Sequence, residues 1–175
     1  MKPPSDQERM ETVWRQRASQ LSRRGVAAGT GGADVQVIVL AIGDERYGIE
    51  LADVAEVLPL VQVTPVPGAP PTFSGVINVH GEIRPVIDLK NVLGVDAAKK
   101  GNLSRVILLR RQEREIGLNV DRVEQIRSIS SEDLQSAKSG NTDLSARYLK
   151  GLTPDGLMLL NTEALFAELL KGTNS

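Results

Sequence analysis

The chain has 175 residues with 21 Lys+Arg, 22 Asp+Glu and one His; it is 41% apolar and only 3% aromatic. That is the size of one globular domain with a tail, with Val, Leu and Ile left to fill the core. The near-neutral charge, the scarcity of aromatics and the absence of Cys argue against a basic nucleic-acid binder, a base-stacking surface, a disulfide framework or a thiolate site, and one His excludes a multi-His metal centre.

Residues 1–33 carry six basic residues against three acidic; the remainder carries 15 against 19. This basic head on an acidic body divides the chain into 1–33, an amphipathic helix with a flexible linker, and 34–175, a single domain. Ser5-Asp-Gln-Glu8 is a capping box behind Pro3 and Pro4. Met10, Val13, Trp14 and Leu21 then share one helical stripe, the expected docking face of the helix. A helix packed on its own domain, or a frayed tail, fits the pattern equally well. Gly25 ends the helix, and the Gly/Ala-rich run to Gly32 is a tether.

The body reads as many short strands. Val35–Ile42 and Arg46–Leu51 form a hairpin, and Asp53–Leu58 is a short helical candidate. Pro59, Pro65, Pro67, Pro70 and Pro71 mark a loop-rich crossing. Phe73–Val79 and Glu82–Leu89 pair across His80-Gly81, and Pro85 inside the second strand calls for an edge or a bulge. Leu89–Leu93 is a short helix. Leu103–Arg110 and Glu115–Val120 form another hairpin, and Val123–Ile129 continues as strand. Ser131–Ser136 is a weaker helical candidate. Tyr148–Leu152 and Leu157–Leu160 pair around Thr153-Pro-Asp-Gly156, and Thr162–Leu170 closes as a helix.

An internal echo runs through this pattern. At an offset of 69, residues 37–54 lie without a gap on 106–123; Val37, Ile38, Leu40, Gly48 and Val54 are identical to Val106, Ile107, Leu109, Gly117 and Val123. Two similar β units follow, and short strands at this spacing favour barrels or a sandwich. No Walker loop, dinucleotide fingerprint or nucleophile elbow occurs. Asp44-Glu45 and Glu132-Asp133 are sequence neighbours, which rarely face each other across a cleft as paired catalytic acids must, and both pairs read as solvated turn or helix-start charges. His80 reads as an exposed turn residue more readily than as a general base. The chain is therefore expected not to be an enzyme and to need no cofactor or metal. No apolar run reaches the ~18 residues of a membrane span, and no signal peptide opens the chain; a cytoplasmic protein is expected.

The stretch Phe73-Ser-Gly-Val-Ile-Asn-Val-His-Gly-Glu-Ile-Arg-Pro-Val-Ile-Asp-Leu89 resembles the signature of the CheW family of chemotaxis coupling proteins. The likeness extends to Tyr47–Val57, Thr64–Pro70, Ile116–Val123, Tyr148–Gly151 and Leu157–Asn161, covering about residues 35 to 170. The resemblance implies an all-β fold: two SH3-like five-stranded barrels in one CheW-like domain, with short connecting helices and a C-terminal helix. It also implies a non-catalytic adaptor. Its partners would be the regulatory domain of a CheA-type histidine kinase, packed barrel to barrel, and the cytoplasmic tip of a methyl-accepting chemoreceptor, gripped between the barrels in a receptor array. No nucleic acid and no direct membrane insertion are expected. The family positions for partner binding fall on Val54, Glu56, Asn78, His80, Gly81, Arg105 and Val123. Val54 and Val123 fit core packing as well, while Asn78 and Gly81 fit shaping of the turn, Gly81 with a positive φ. Where the family usually has Arg, this chain has His80, a smaller ring without a permanent charge. That departure leaves a second role open: a CheW-like scaffold in a non-motility signalling pathway, with another partner in the groove.

Overall fold

The computed structural model describes residues 33–95, 103–136 and 144–172. The amphipathic stripe of Met10, Val13, Trp14 and Leu21 lies outside the described residues. Eleven strands are present: β1 (Asp34–Ile42), β2 (Glu45–Glu50), β3 (Val54–Gln62), β4 (Phe73–Val79), β5 (Glu82–Asp88), β6 (Leu103–Arg111), β7 (Arg114–Val120), β8 (Arg122–Ser130), β9 (Gln135–Ser136), β10 (Leu149–Leu152) and β11 (Met158–Leu160). Helix α1 (Leu89–Leu93) follows β5, and helix α2 (Thr162–Gly172) follows β11.

The strands form two sheets, ordered β8-β1-β2-β11-β10-β9 and β3-β6-β7-β5-β4. Each sheet bends round to meet itself. Thr64, just past β3, bridges Val76 of β4 with backbone hydrogen bonds of 2.9 Å in both directions. In the other sheet the chain turns after β8 and adds β9 beside β10. With β8 and β9 counted as one bent strand, each unit is a five-stranded barrel, as expected. Closure removes the open edges that so many short strands would otherwise present.

The internal echo is built into the pairing. The first hairpin, β1-β2, sends its third strand β3 across to pair with β6; the second, β6-β7, sends β8 back to pair with β1. The registers match residue for residue: Val54 opposes Leu109, and at the same offset Val123 opposes Leu40. Even the bulge is repeated. Val39 opposes Gln125 while Leu40 opposes Val123, which leaves Glu124 as the extra residue. Leu108 opposes Glu56 while Leu109 opposes Val54, which leaves Ala55, its counterpart 69 positions earlier.

This exchange explains the unbroken apolar runs in β1 and β6. Val37 and Val39 fill the first barrel with Ile129, Leu157 and Leu159. Val106 and Leu108 fill the second with Ile77, Val79 and Val86. The alternate residues Ile38, Leu40, Ile42, Ile107 and Leu109 face a third, larger core shared by both units, closed by Leu165 and Phe166 of α2. Both faces of each central strand are buried, so the usual apolar–polar alternation disappears.

Four expectations need correction. Asp53–Leu58 is not helical: a 3-10 turn at Leu51–Asp53 leads straight into β3. Ser131–Ser136 is a turn running into β9, not a helix. Both segments must pair to complete a barrel, and that tertiary demand overrides local propensity. Pro59 lies inside β3, within the register shift between Leu58 and Val61, where a missing donor is tolerated. Pro85 is at neither an edge nor a bulge, because β5 is flanked by β4 and β7. Its partner Val76 spends both backbone groups on Thr64, so Val76 and Pro85 form a non-hydrogen-bonded pair. On the other side, the parallel ladder with β7 begins only at Val86. The proline nitrogen therefore falls where no donor is required.

Candidate functional site

The β4-β5 turn is built on His80 and Gly81, with φ of 51° and 88°. Two successive positive φ values give the mirror-image turn that suits the right-handed twist of a two-residue hairpin. Gly81 has the positive φ expected of it; that His80 has one too was not foreseen. The Asn78 side chain stabilises the turn, its Oδ1 accepting from the Gly81 N–H at 2.9 Å.

His80 projects from this turn and is 70% exposed. Its Nε2–H donates to Glu56 Oε2 at 2.9 Å. Glu56 reaches it from β3, where it opposes Leu108 beside the Ala55 bulge. The contact ties the crossing strand to the hairpin tip. It is a hydrogen bond with a neutral ring and an ion pair with a protonated one. The structure thus brings together Glu56, His80, Gly81 and Asn78. Val54 is two residues from Glu56 on β3, half-buried against the shared core; Val123 occupies the equivalent position on β8 in the same environment. Arg105 stands apart. It is exposed on β6 opposite Val120, four residues from Leu109, or about 13 Å along the strand. Among the described residues it forms no ion pair.

Other charged groups were not singled out by the sequence. In the first barrel, Arg127 of β8 grips Asp155 in the β10-β11 turn with two hydrogen bonds, of 2.6 and 2.9 Å. The Thr153 hydroxyl adds a third at 2.7 Å. Arg127, then Thr153, hold the Asp155 carboxyl well below the usual carboxylate range. This is the first barrel's counterpart of Glu56–His80: again the crossing strand clamps a hairpin tip, here with a forked guanidinium. Glu115, with its side chain only 9% exposed, accepts from Arg84 Nε at 2.7 Å and Arg110 Nε at 2.6 Å. Arg84 first, then Arg110, keep its carboxyl below the ordinary value. No spacing rule links either pair, since 28 and 31 residues separate the partners Arg127–Asp155 and Arg84–Glu115. Asp88, the acid of the central motif, had a local signal. It is buried and caps α1, accepting from the Lys90 and Asn91 amides at 3.1 and 3.4 Å. The Asp-Leu-Lys-Asn order, with the acid just ahead of a short helix, is that of an N-cap.

Two closed barrels joined by exchanged strands, each with its hairpin tip clamped at the rim, define a paired SH3-like β module. Comparison with known proteins gives it a family. The family model for the CheW-like domain matches residues 36–170, and the chain belongs to the CheW family. It is 29% identical over 163 residues to "Chemotaxis protein CheW" of Treponema pallidum, covering 88% of this chain and 96% of that protein. It is 30% identical over 135 residues to "Chemotaxis protein CheW" of Klebsiella aerogenes, covering 75% of this chain and 81% of that protein. Among solved structures it is similar to the scaffolding protein TtCheW of Thermoanaerobacter tengcongensis. That match has a TM-score of 0.66 at 28% identity and covers 73% of this chain and 88% of the other. Among the described residues, no helix is long and apolar enough to cross a membrane.

Proposed function

We propose that this protein is a non-catalytic signalling adaptor that couples a CheA-type histidine kinase to the cytoplasmic tips of chemoreceptors. The observation that carries the reading is the family match over residues 36–170, which takes in both barrels. The names of its relatives, chemotaxis and scaffolding proteins, point the same way. In this reading Val54, Glu56, Asn78, His80, Gly81 and Val123 form the partner-binding rim, and Arg105 contributes a separate contact farther along β6. The half-buried valines supply apolar contact, and the Glu56–His80 pair fixes register. Such a protein works in the cytoplasm, recruited to receptor arrays by its partners. The head, residues 1–33, serves as a separate segment that docks to another protein.

Titration calorimetry with the regulatory domain of the cognate kinase tests the proposal. Binding should persist in moderate salt, because apolar burial is screened far less than exposed ion pairs. A folded sample that gives no heat and no affinity rejects kinase coupling. His80, in place of the usual Arg, favours a second reading: a CheW-like scaffold in a non-motility pathway. Kinase binding without receptor-tip binding would select it.

A further inference from the structure

We propose that Asp121 and Asp53 are positioning residues of the partner-binding rim: each anchors one of the two crossings between the barrels and so sets the valine that follows it, Val123 or Val54. The proposal rests on the adaptor reading, which makes those two valines partner contacts.

Both crossings are short. Asp121 is the one residue between β7 and β8, and the 3-10 turn Leu51–Asp53 runs directly into β3 at Val54. Asp121 Oδ2 accepts from the Gly43 N–H at 2.8 Å, and its Oδ1 pairs with Lys90 Nζ at 2.6 Å. Gly43 lies in the β1-β2 turn of the first barrel, and Lys90 lies on α1, just past β5 of the second. One carboxylate thus ties the junction to both units. Burial opposes the charge on Asp121, yet the Gly43 amide and Lys90 outweigh it and hold the carboxyl below its ordinary value. At the other crossing, Asp53 Oδ2 accepts from the hydroxyl of Thr162, the first residue of α2, at 2.6 Å.

Neither helix needs these bonds for its own start. Asp88 caps α1, and Asn161 Oδ1 accepts from the Ala164 N–H of α2 at 3.2 Å. Thr162 is nonetheless buried with its hydroxyl on Asp53, and the Lys90 side chain is only 18% exposed. Polar groups held in such places give up water, and only a bond recovers that cost. The internal echo sharpens the argument. The counterpart of Asp121 is Ala52, and the counterpart of Asp53 is Arg122; both are exposed. The anchors therefore stand at adjacent, not identical, places in the repeat and take unlike partners. What the two crossings share is an anchored carboxylate within two residues of a half-buried valine. A contact residue whose backbone is held in place binds without first paying to be ordered.

The test acts on the remote partners of the two carboxylates, in the full-length chain with isotopically labelled valine methyls. Lys90→Met keeps the packed stem and removes the charge. Thr162→Val keeps the shape and removes the hydroxyl. Lys90→Met should displace the methyl signals of Val123, and Thr162→Val those of Val54. Each should weaken binding to a soluble cytoplasmic fragment of the cognate chemoreceptor by about two- to fivefold. Lys90→Arg, which keeps the charge, should stay within about twofold of the parent. Affinity for the regulatory domain of the kinase should also stay within about twofold in every variant. A general loss of stability would weaken both partners alike and could not produce that split. The proposal is overturned if the valine signals stay in place, if Lys90→Met binds the receptor fragment as well as Lys90→Arg does, or if both partners weaken together. A parent chain that binds no receptor fragment removes the adaptor reading instead; the valine signals alone then decide the anchors, displaced ones upholding them and unmoved ones overturning them.

Discussion

Replacing Gly117 with alanine should destabilise the protein, whereas the same change at Gly48 should be close to neutral. The two glycines correspond in the echo, and each opposes a parallel strand: Gly117 opposes Val86 of β5, and Gly48 opposes Leu159 of β11. Neither has a positive φ, so the difference is one of space. A Cβ on Gly117 would lie 2.7 Å from Val106 Cγ1 and 3.1 Å from Val86 Cγ2. Both valines are fully buried in the second barrel and have nowhere to retreat. Overpacking of this kind costs about 1–3 kcal/mol. Alanine returns roughly 0.5–1 kcal/mol through reduced chain entropy. The net change therefore spans about 0–2.5 kcal/mol, on the destabilising side. At Gly48 the nearest atoms are Leu157 Cδ2 at 3.3 Å and Leu159 Cδ1 at 3.4 Å, the ends of longer side chains. A shift of a few tenths of an ångström relieves them, and the entropy gain offsets the rest, for a change within about 0.5 kcal/mol. Urea unfolding with unchanged slopes measures both. If Gly117→Ala proves as stable as Gly48→Ala, the tight packing assigned to the second barrel is wrong.

The Arg127–Asp155 clamp should make the protein acid-sensitive. A carboxyl held below its ordinary value contributes stability above about pH 4, lost as the pH falls through the lowered folded value. Because Asp155 is 57% exposed, Asp155→Asn should cost only about 0.5–1 kcal/mol at pH 7, and melts of the variant and parent should converge near the acid end of a pH series. His80→Arg should leave the melting temperature within about 2 °C, since the turn is exposed and Glu56 can accept from a guanidinium, and should tighten binding to an acidic receptor tip; an unchanged affinity would place His80 outside the interface. Removing residues 1–33 should shift the melting temperature by less than about 5 °C, of order 1 kcal/mol; a larger drop would mean that the head packs on the domain. Phe166→Ala, which removes a buried ring from the shared core, should cost about 3–5 kcal/mol by thermal or urea unfolding.

What the sequence made legible follows the range of the forces involved. Hairpins joined by two-residue turns are local, and β1-β2, β4-β5 and β6-β7 were all placed within a residue or two of where they occur. The short helix after Asp88 and the closing helix from Thr162 were also readable, because caps and periodicity act over a few residues. Where a segment's state depends on a distant strand, local reading failed. Nothing between Asp53 and Leu58 announces that this segment must pair with β6, fifty residues on. Ser131–Ser136 carries only polar and small residues around Leu134, and its two-residue strand exists solely because β10 lies beside it.

The candidate site divides along the same line. That Gly81 and Asn78 shape the turn was readable, since a turn motif is local. The pairing of Glu56 with His80 was not, because it joins two elements 24 residues apart through barrel closure. The echo carried more than it first showed. Identical residues at an offset of 69 suggested two similar units; the structure shows that the units exchange strands. That exchange follows from burial. A lone hairpin of this sequence has two apolar faces and can bury one inside its own barrel. The other, with Ile38 and Leu40 in one unit and Ile107 and Leu109 in its twin, needs a second surface of the same kind. Crossing β3 and β8 between the units supplies it and sets Val54 and Val123 at matching edges of the shared core. Substitutions at those two valines should therefore act on stability and on partner binding together, whereas changes at His80, which lies outside the core, should separate the two.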